Sequence, residues 1–352
     1  MSPLSDHLRD LIASQGPIPV SDYMALCLMH PEHGYYATRD PFGASGDFIT
    51  APEISQMFGE LIGLSLAQAW MDQGVPNRFT LAELGPGRGT LMADILRATR
   101  SVPGFQAAAQ IHLIEASPTL KSIQAETLEG YCTTWSDRIT ALPDQPLYLV
   151  ANEFFDALPI RQFVRSGLGW CERQIGWNEG LTFGLAPETR YDSLTHRLDD
   201  TKDGDLVEQC PASVPIATQI GQQISSQGGT ALIIDYGDWH SLGDTLQALE
   251  NHAPVNPLQN PGNADLTAHV DFEALAMAAP CAHTKLTPQG VFLERLGITQ
   301  RAQSLAQNLS GKPLETHIAA HRRLTHPAEM GTLFKVLGLY PHGTTPPPGL
   351  DP

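Results

Sequence analysis

The 352-residue chain has only five cysteines, Cys27, Cys132, Cys171, Cys210 and Cys281, scattered and odd in number. No C-x-x-C pair occurs, so neither a disulfide framework nor a zinc knuckle is expected; free thiols buried in a reducing compartment fit this usage. Basic residues are scarce as well, with 21 Lys and Arg against 38 Asp and Glu and a formal net charge of −17. That deficit argues against sequence-independent nucleic-acid binding, whose affinity comes mostly from phosphate neutralisation. It leaves two readings open, a surface kept soluble by its charge or a neutral-to-basic macromolecular partner. Long apolar runs are missing too, so no membrane insertion is expected. The opening "MSPLSDHLRDLIASQG" reads as an amphipathic helix and lacks the basic-then-apolar order of a secretory signal. A cytoplasmic location is therefore the expectation.

Glycine (31) and proline (28) are plentiful, which suits a globular chain with many turns, and 42% of residues are hydrophobic. Residues 1–75 form a helix-rich segment. Its clearest periodicity is Ile54, Met57, Phe58, Leu61, Ile62 and Ala69, the i, i+3, i+4, i+7 pattern of an amphipathic helix. Thr50 and Glu53 give a T-x-x-E capping box, with Pro52 in the first turn, where its missing N–H costs nothing. From Phe79 the texture becomes that of an α/β domain, expected over 76–340. "FTLAEL", "QIHLIEA", "LYLVAN" and "TALIIDYG" are apolar strands separated by helices such as "SPTLKSIQAETL", with Ser117 as its cap. Such strands indicate a mostly parallel sheet covered on both faces. Residues 163–205 carry glycine, tryptophan and alternating patterns typical of hairpins, a β-rich insertion. "GTLFKVLGL" reads as a late strand, and 341–352 as a loose Pro/Gly tail.

"AELGPGRGT" follows the first strand and places Gly85, Gly87 and Gly89 after Glu83. Glycines there let the backbone turn tightly and approach a nucleotide without Cβ clashes. The third glycine comes one place earlier than in the dinucleotide pattern G-x-G-x-x-G. S-adenosyl-L-methionine carries an ammonium and a sulfonium in place of a pyrophosphate, so the carboxylate of Glu83 suits it better than a dinucleotide. Glu115 ends the second strand, 26 positions past Gly89, where a carboxylate can accept both ribose hydroxyls. That feature serves a nicotinamide cofactor equally well. Trp135 lies where a third-strand loop could cover an adenine, or pack as an ordinary rim residue.

With these residues in hand, the chain resembles the MidA family of class I methyltransferases, whose mitochondrial members act as complex I assembly factors. The matching stretches are "GDFITAPEISQMFGELIG", "LAELGPGRGTLMADILR", "ANEFFDALPIRQF", "ALIIDYG" and "GDTLQALENH…GNADLTAHVDF", spread from about Gly34 to Phe272. The resemblance implies a Rossmann-like, seven-stranded, mostly parallel sheet with an N-terminal helical extension, and S-adenosyl-L-methionine as cofactor. It also implies methyl transfer to arginine, giving symmetric dimethylarginine on the complex I (NADH-quinone oxidoreductase) core subunit beside the quinone site.

Arginine is a poor nucleophile because its guanidinium stays protonated to pH above ~12. A methylating site must hold the planar fork and take a proton from it, which carboxylates do. "ANEFFDALP" puts Asn152, Glu153 and Asp156 just beyond a central parallel strand, where open α/β sheets bind ligands. Glu153 is the expected clamp and proton acceptor, Asp156 the second acid, and Asn152 an orienting amide; carboxylates capping the next helix are the alternative. Asp47 and Phe48 are expected to fold over the cofactor, although Asp47 could equally form the turn before the helix. Asp235, Tyr236, His269 and Asp271 are weaker candidates for the substrate channel. His317 and His321 share a helical face but lack a third ligand, so no metal site is expected. A cofactor-binding assembly chaperone without turnover and a nucleotide-dependent oxidoreductase remain as alternatives. The apolar helix faces would also permit a homodimer.

Overall fold

The computed structural model describes residues 2–38, 50–250 and 253–352. Two central strands explain its layering. Phe79–Leu84 (β1) is buried at every position, and so is Leu147–Asn152, so each must lie between two covering layers. The remaining strands of the main sheet are Ala109–Ile114 (β2), Thr133–Ser136 (β3), Gly229–Asp238 (β5), Ala282–His283 (β6) and Phe334–Tyr340 (β7), with Leu147–Asn152 as β4. The main path runs β3-β2-β1-β4-β5-β7-β6, with two short strands added beside β5 and β7. Strands β1 to β5 pair in parallel, and β7 runs antiparallel to β5. This is the class I methyltransferase architecture expected from the sequence.

Because strand side chains alternate between faces, odd and even positions sort into two cores. Leu81, Tyr148, Val150, Leu232 and Ile234 pack with residues of the Gln56–Asp72 and Thr90–Thr99 helices. Ala82, Leu84, Leu149, Ala151 and Ile233 pack with the Ser213–Gln227 and Phe272–Ala278 helices. The same parity places Glu83 and Asn152 on the first of these faces, at the carboxyl ends of adjacent strands.

Residues 2–38 pack elsewhere. Leu4, Leu8, Ile12, Tyr23 and Met24 share a core with Ile175, Ala248 and Leu266. Ile18–Pro19 pairs with Gly169–Trp177, joining the antiparallel sheet formed with Arg161–Ser166, Leu181–Leu185 and Leu206–Gln209.

Three local expectations are corrected. The Thr50–Glu53 capping box does not form: Thr50 makes no side-chain cap, and the helix breaks at Ser55, whose Oγ accepts from Met57 N–H at 3.2 Å. Glu53 turns aside instead and accepts from the Thr90 hydroxyl at 2.6 Å. The end of the chain is laid against the fold. Pro348 C=O accepts from Ser65 and Asp351 C=O from Lys285 N–H, while Leu350 is buried in a slot where a Cβ on Gly338 would lie 2.8 Å from its Cδ1. All five cysteines are free, yet only Cys27 and Cys281 are buried and Cys132 is exposed.

Candidate active site

Where β1 ends, Gly85 N–H still bonds Ile114 C=O, and then Gly85, Gly87 and Gly89 take φ of +60°, +52° and +82°. These left-handed angles favour glycine. At Gly85 a second constraint applies, since a Cβ would sit 2.8 Å from the Phe154 ring. Gly89 opens the Thr90–Thr99 helix without a side-chain cap. Glu83, from the preceding strand, supplies one of the missing acceptors by taking the Met92 N–H. Its other oxygen, Oε2, is buried without a partner among the described residues. Burial pushes this carboxyl up to about 8, only partly opposed by the Met92 bond.

Beside the glycine loop lies a cavity of about 410 Å³, reached by Gly85, Gly87, Glu115 and Ile139 from the sheet side. Leu28, Met29 and Tyr36 close it from the N-terminal segment. Sequence reasoning missed these three; the aromatic pair Tyr35–Tyr36 was a signal for Tyr36 alone, and Leu28 and Met29 read as ordinary apolar helix positions. Glu115 Oε1 accepts from Ser117 N–H at 2.8 Å and Oε2 from the Gln124 amide at 3.2 Å. Burial raises its pKa against these bonds. Trp135 does not line the cavity. Its side chain packs on the Thr90–Thr99 side of the sheet, and its indole N–H donates to Gln124 Oε1 at 2.9 Å.

The second half of the site is built at the ends of β4 and β5. Glu153 follows β4 with φ +50°, a left-handed conformation that costs a non-glycine residue roughly 1–2 kcal/mol. Its Oε1 accepts from Ala51 N–H at 3.1 Å and from the Asn152 amide at 3.2 Å. Burial, then repulsion from Asp156, pushes it up to about 7. Asp156 is buried and raised to about 6 by desolvation, with the Tyr236 hydroxyl donating to it and Oδ1 left without a partner. Asn152 Oδ1 is likewise buried and unpartnered.

Asp235 does not open onto a channel. Its Oδ2 accepts from Phe154, Phe155 and Asp156 N–H at 3.0–3.2 Å, and its Oδ1 from Tyr236 N–H at 3.0 Å, so it staples the turn that carries both acids. Tyr236 packs its ring edge-on against His269, whose pKa burial lowers, and Asp271 caps the Phe272–Ala278 helix through Ala274 N–H. His317 and His321 engage Ala302 C=O and Thr299 of the neighbouring helix. Asp47 and Phe48 lie outside the described residues.

The two halves meet at a small recess of about 40 Å³ lined by Thr50, Glu53, Glu83, Gly87, Asn152 and Glu153 among others. Glu153 also lines the larger cavity, so it stands between the two. Glu83 and Asn152 both line the recess, and among the described residues Glu83 Oε2 and Asn152 Oδ1 are buried acceptors without a donor. Such groups are costly unless a donor-rich ligand completes them.

Comparison with known proteins agrees with this geometry. A family model described as "Putative S-adenosyl-L-methionine-dependent methyltransferase" matches residues 61–291. The Xenopus tropicalis protein named protein arginine methyltransferase NDUFAF7, mitochondrial, is 37% identical over 98% of this chain and 88% of its own length. The Homo sapiens protein of that name is 35% identical over 97% of this chain and 84% of its own. A Burkholderia thailandensis protein solved with S-adenosyl-homocysteine bound shares 30% identity at a TM-score of 0.82, covering 98% of this chain and 93% of that one. The relatives' names overturn the expectation of a cytoplasmic location, since they point to mitochondria. That expectation rested on the lack of a secretory-signal order and of long apolar runs, features that bear on secretion and membrane insertion and not on mitochondria. The methyl donor replaces the nicotinamide alternative. The chain belongs to the MidA-like family of S-adenosyl-L-methionine-dependent methyltransferases, the family that its segments between Gly34 and Phe272 resemble.

Proposed function

We propose that this methyltransferase modifies arginine side chains of a protein substrate. The observation that carries the proposal is the pair Glu153 and Asp156. Glu153 lines the cavity and Asp156 lies three positions on in the same turn at the strand end; both have raised pKa, and among the described residues neither is in a salt bridge with a cationic side chain. Asp156 adds an acceptor oxygen, Oδ1, that no donor among the described residues satisfies. A guanidinium offers five N–H donors in a planar fork and would complete these acceptors. The names of the relatives, protein arginine methyltransferase, support the same substrate class.

In this reading Glu83 Oε2 and Asn152 Oδ1 hold the ammonium of the cofactor, the Gly85–Gly89 loop lies along its methionine portion, and Glu115 accepts the ribose hydroxyls. The cofactor, when bound, supplies an electrophilic methyl group on a sulfonium. Glu153 would orient one guanidinium nitrogen and take the proton which that nitrogen releases as its bond to the methyl carbon forms and the methyl–sulfur bond breaks, the bonding pair staying on sulfur to leave the neutral thioether S-adenosyl-homocysteine. Asp156 holds the fork from a second direction, and Asn152 keeps the Glu153 carboxyl in place through its amide N–H. Most of the rate then comes from positioning and from localising a lone pair, not from covalent chemistry by the protein.

We extend the reading to symmetric dimethylarginine on the complex I core subunit beside the quinone site, with a role in assembly of that complex, as the family resemblance implies. Incubation with isotopically labelled S-adenosyl-L-methionine and that subunit, followed by peptide mass spectrometry, tests both levels. Label on an arginine supports the proposal. Tight binding of the donor with no transfer to any arginine overturns it in favour of an assembly chaperone.

A further inference from the structure

One buried amide connects three features of the cofactor half that were recognised separately in the sequence. Gln124 sits on the Pro118–Thr127 helix and is 0% exposed. Its Nε2 donates to Gly87 C=O at 2.8 Å and to Glu115 Oε2 at 3.2 Å. Its Oε1 accepts from the Trp135 indole at 2.9 Å. The loop rests directly on it: a Cβ on Gly89 would meet its Cα and Cγ at 3.6 Å.

We propose that Gln124 is the positioning residue of the cofactor site, fixing the glycine loop and the ribose-binding carboxylate relative to each other, and that Trp135 acts on the cofactor only through it. The logic is one of donor and acceptor matching. An amide side chain has two N–H donors and one oxygen, and its two ends are nearly isosteric, so an unconstrained Gln124 could flip. The indole is a donor only. With its N–H fixed against Oε1, flipping would set donor against donor at Trp135 and oxygen against oxygen at both Gly87 and Glu115. Trp135 thereby selects the one orientation in which both N–H groups point at the cofactor site.

The consequence for Glu115 is equally specific. Oε2 is held by Gln124 and Oε1 by Ser117 N–H, so the carboxylate plane is set from both ends. Each oxygen keeps acceptor capacity for a hydroxyl of a vicinal diol. Recognition of the diol, rather than of adenine, is what Gln124 should control. The inference rests on use of S-adenosyl-L-methionine and not on the arginine reading, so the two can fail separately.

Titration calorimetry on Trp135→Phe, Gln124→Leu and the double variant tests it, with three probes: S-adenosyl-homocysteine, 5′-methylthioadenosine and 2′-deoxy-5′-methylthioadenosine. Loss of a charge-assisted hydrogen bond and of loop support at Gln124 should weaken S-adenosyl-homocysteine about 10- to 100-fold. Trp135→Phe should weaken it less, by roughly 3- to 10-fold, with the ring packing kept. In both, the preference for the intact diol over the 2′-deoxy probe should shrink, and the double variant should match Gln124→Leu. An unchanged preference with all probes weakened equally would reduce Gln124 to a structural prop. Additive losses in the double variant would give Trp135 a contact of its own. Either result overturns the proposal, and if Gln124→Leu fails to fold, the preference measured in Trp135→Phe decides it.

Discussion

The strand ends of β1 to β3 and those of β4 and β5 form one crevice, but they are finished to different degrees. On the first side every polar atom of two key residues has a partner: each Glu115 oxygen accepts one hydrogen bond and keeps capacity for another, and Gln124 uses its oxygen and both N–H groups. On the second side Glu153 sits at φ +50°, Asp156 Oδ1 and Asn152 Oδ1 have no partner among the described residues, and the Glu153 and Asp156 carboxyls are raised. Glu83, at the seam, shares the second character through its free Oε2. In the proposed site the cofactor's sugar would meet a surface whose polar groups already hold one another in place, whereas the reacting end would offer unsatisfied acceptors and local strain to the cations of substrate and donor. Preorganisation of this second kind lowers stability in exchange for function.

The sharpest way to break the comparison is Glu153→Gln. If the β4 end serves chemistry and the β1–β3 end serves binding, kcat should fall by about 10²- to 10⁴-fold, the usual worth of a general base. Affinity for S-adenosyl-homocysteine should change by no more than about threefold, since the amide keeps an oxygen for Ala51 N–H. With Glu153 as the proposed proton acceptor, the deprotonated carboxyl would be the active form in the unmodified enzyme. Its kcat/KM should therefore climb as pH rises toward about 7 and level off above it, and the variant should lose that limb. A parallel collapse of cofactor affinity and rate would merge the two halves into one.

Asp235→Ala probes how the reactive turn is held. Four backbone N–H groups lose their acceptor together. Replacement should cost roughly 2–4 kcal/mol in urea unfolding, less than four separate losses because water enters the gap and the raised carboxyl is itself removed. Activity should fall with it, because both Glu153 and Asp156 flank this turn. A variant as stable as the parent would show that the turn holds its own strain.

Much of this division was legible in the sequence, for reasons that differ by residue. Continuous apolar runs marked β1, β4 and β5 because a strand covered on both faces admits little else. The glycines marked the loop because φ of +52° to +82° excludes most other residues. Asp235 was ambiguous as a strand-end acid. Strand parity sets it opposite Ile234 and Tyr236, but only the folded turn shows four N–H groups converging on it. Gln124 was illegible because an amide on an amphipathic helix looks like solvent-facing polarity, and its meaning comes from three residues distant in the chain. The T-x-x-E signal at Thr50 was real as a pattern and lost in competition, since Thr90 offered Glu53 a better hydrogen bond than the helix end did. Leu350 was hidden by its Pro/Gly neighbours, which disguise a residue that fills a slot over Gly338.

The smallest effect concerns Glu83 and is read without any substrate. Its folded pKa, about 8, stands above the ordinary 4.5, so the native state holds a proton that the unfolded chain releases. The resulting stability is full below the unfolded value and is lost as pH rises from about 4.5 through 8. Glu83→Gln keeps an oxygen for Met92 N–H and stays neutral, so the ligand-free variant should gain on the parent across that window, by on the order of 1–2 kcal/mol at its upper end. That figure is well under the full shift because relaxation and water soften buried sites. Paired thermal melts between pH 5 and 8.5 would show the gap widening in favour of the variant. Saturating S-adenosyl-homocysteine should narrow it, since its ammonium compensates the carboxylate in the parent and has less to bind in the variant. A gap independent of pH, or one that the ligand leaves untouched, would mean that Glu83 is already compensated within the fold and belongs with the finished half of the crevice.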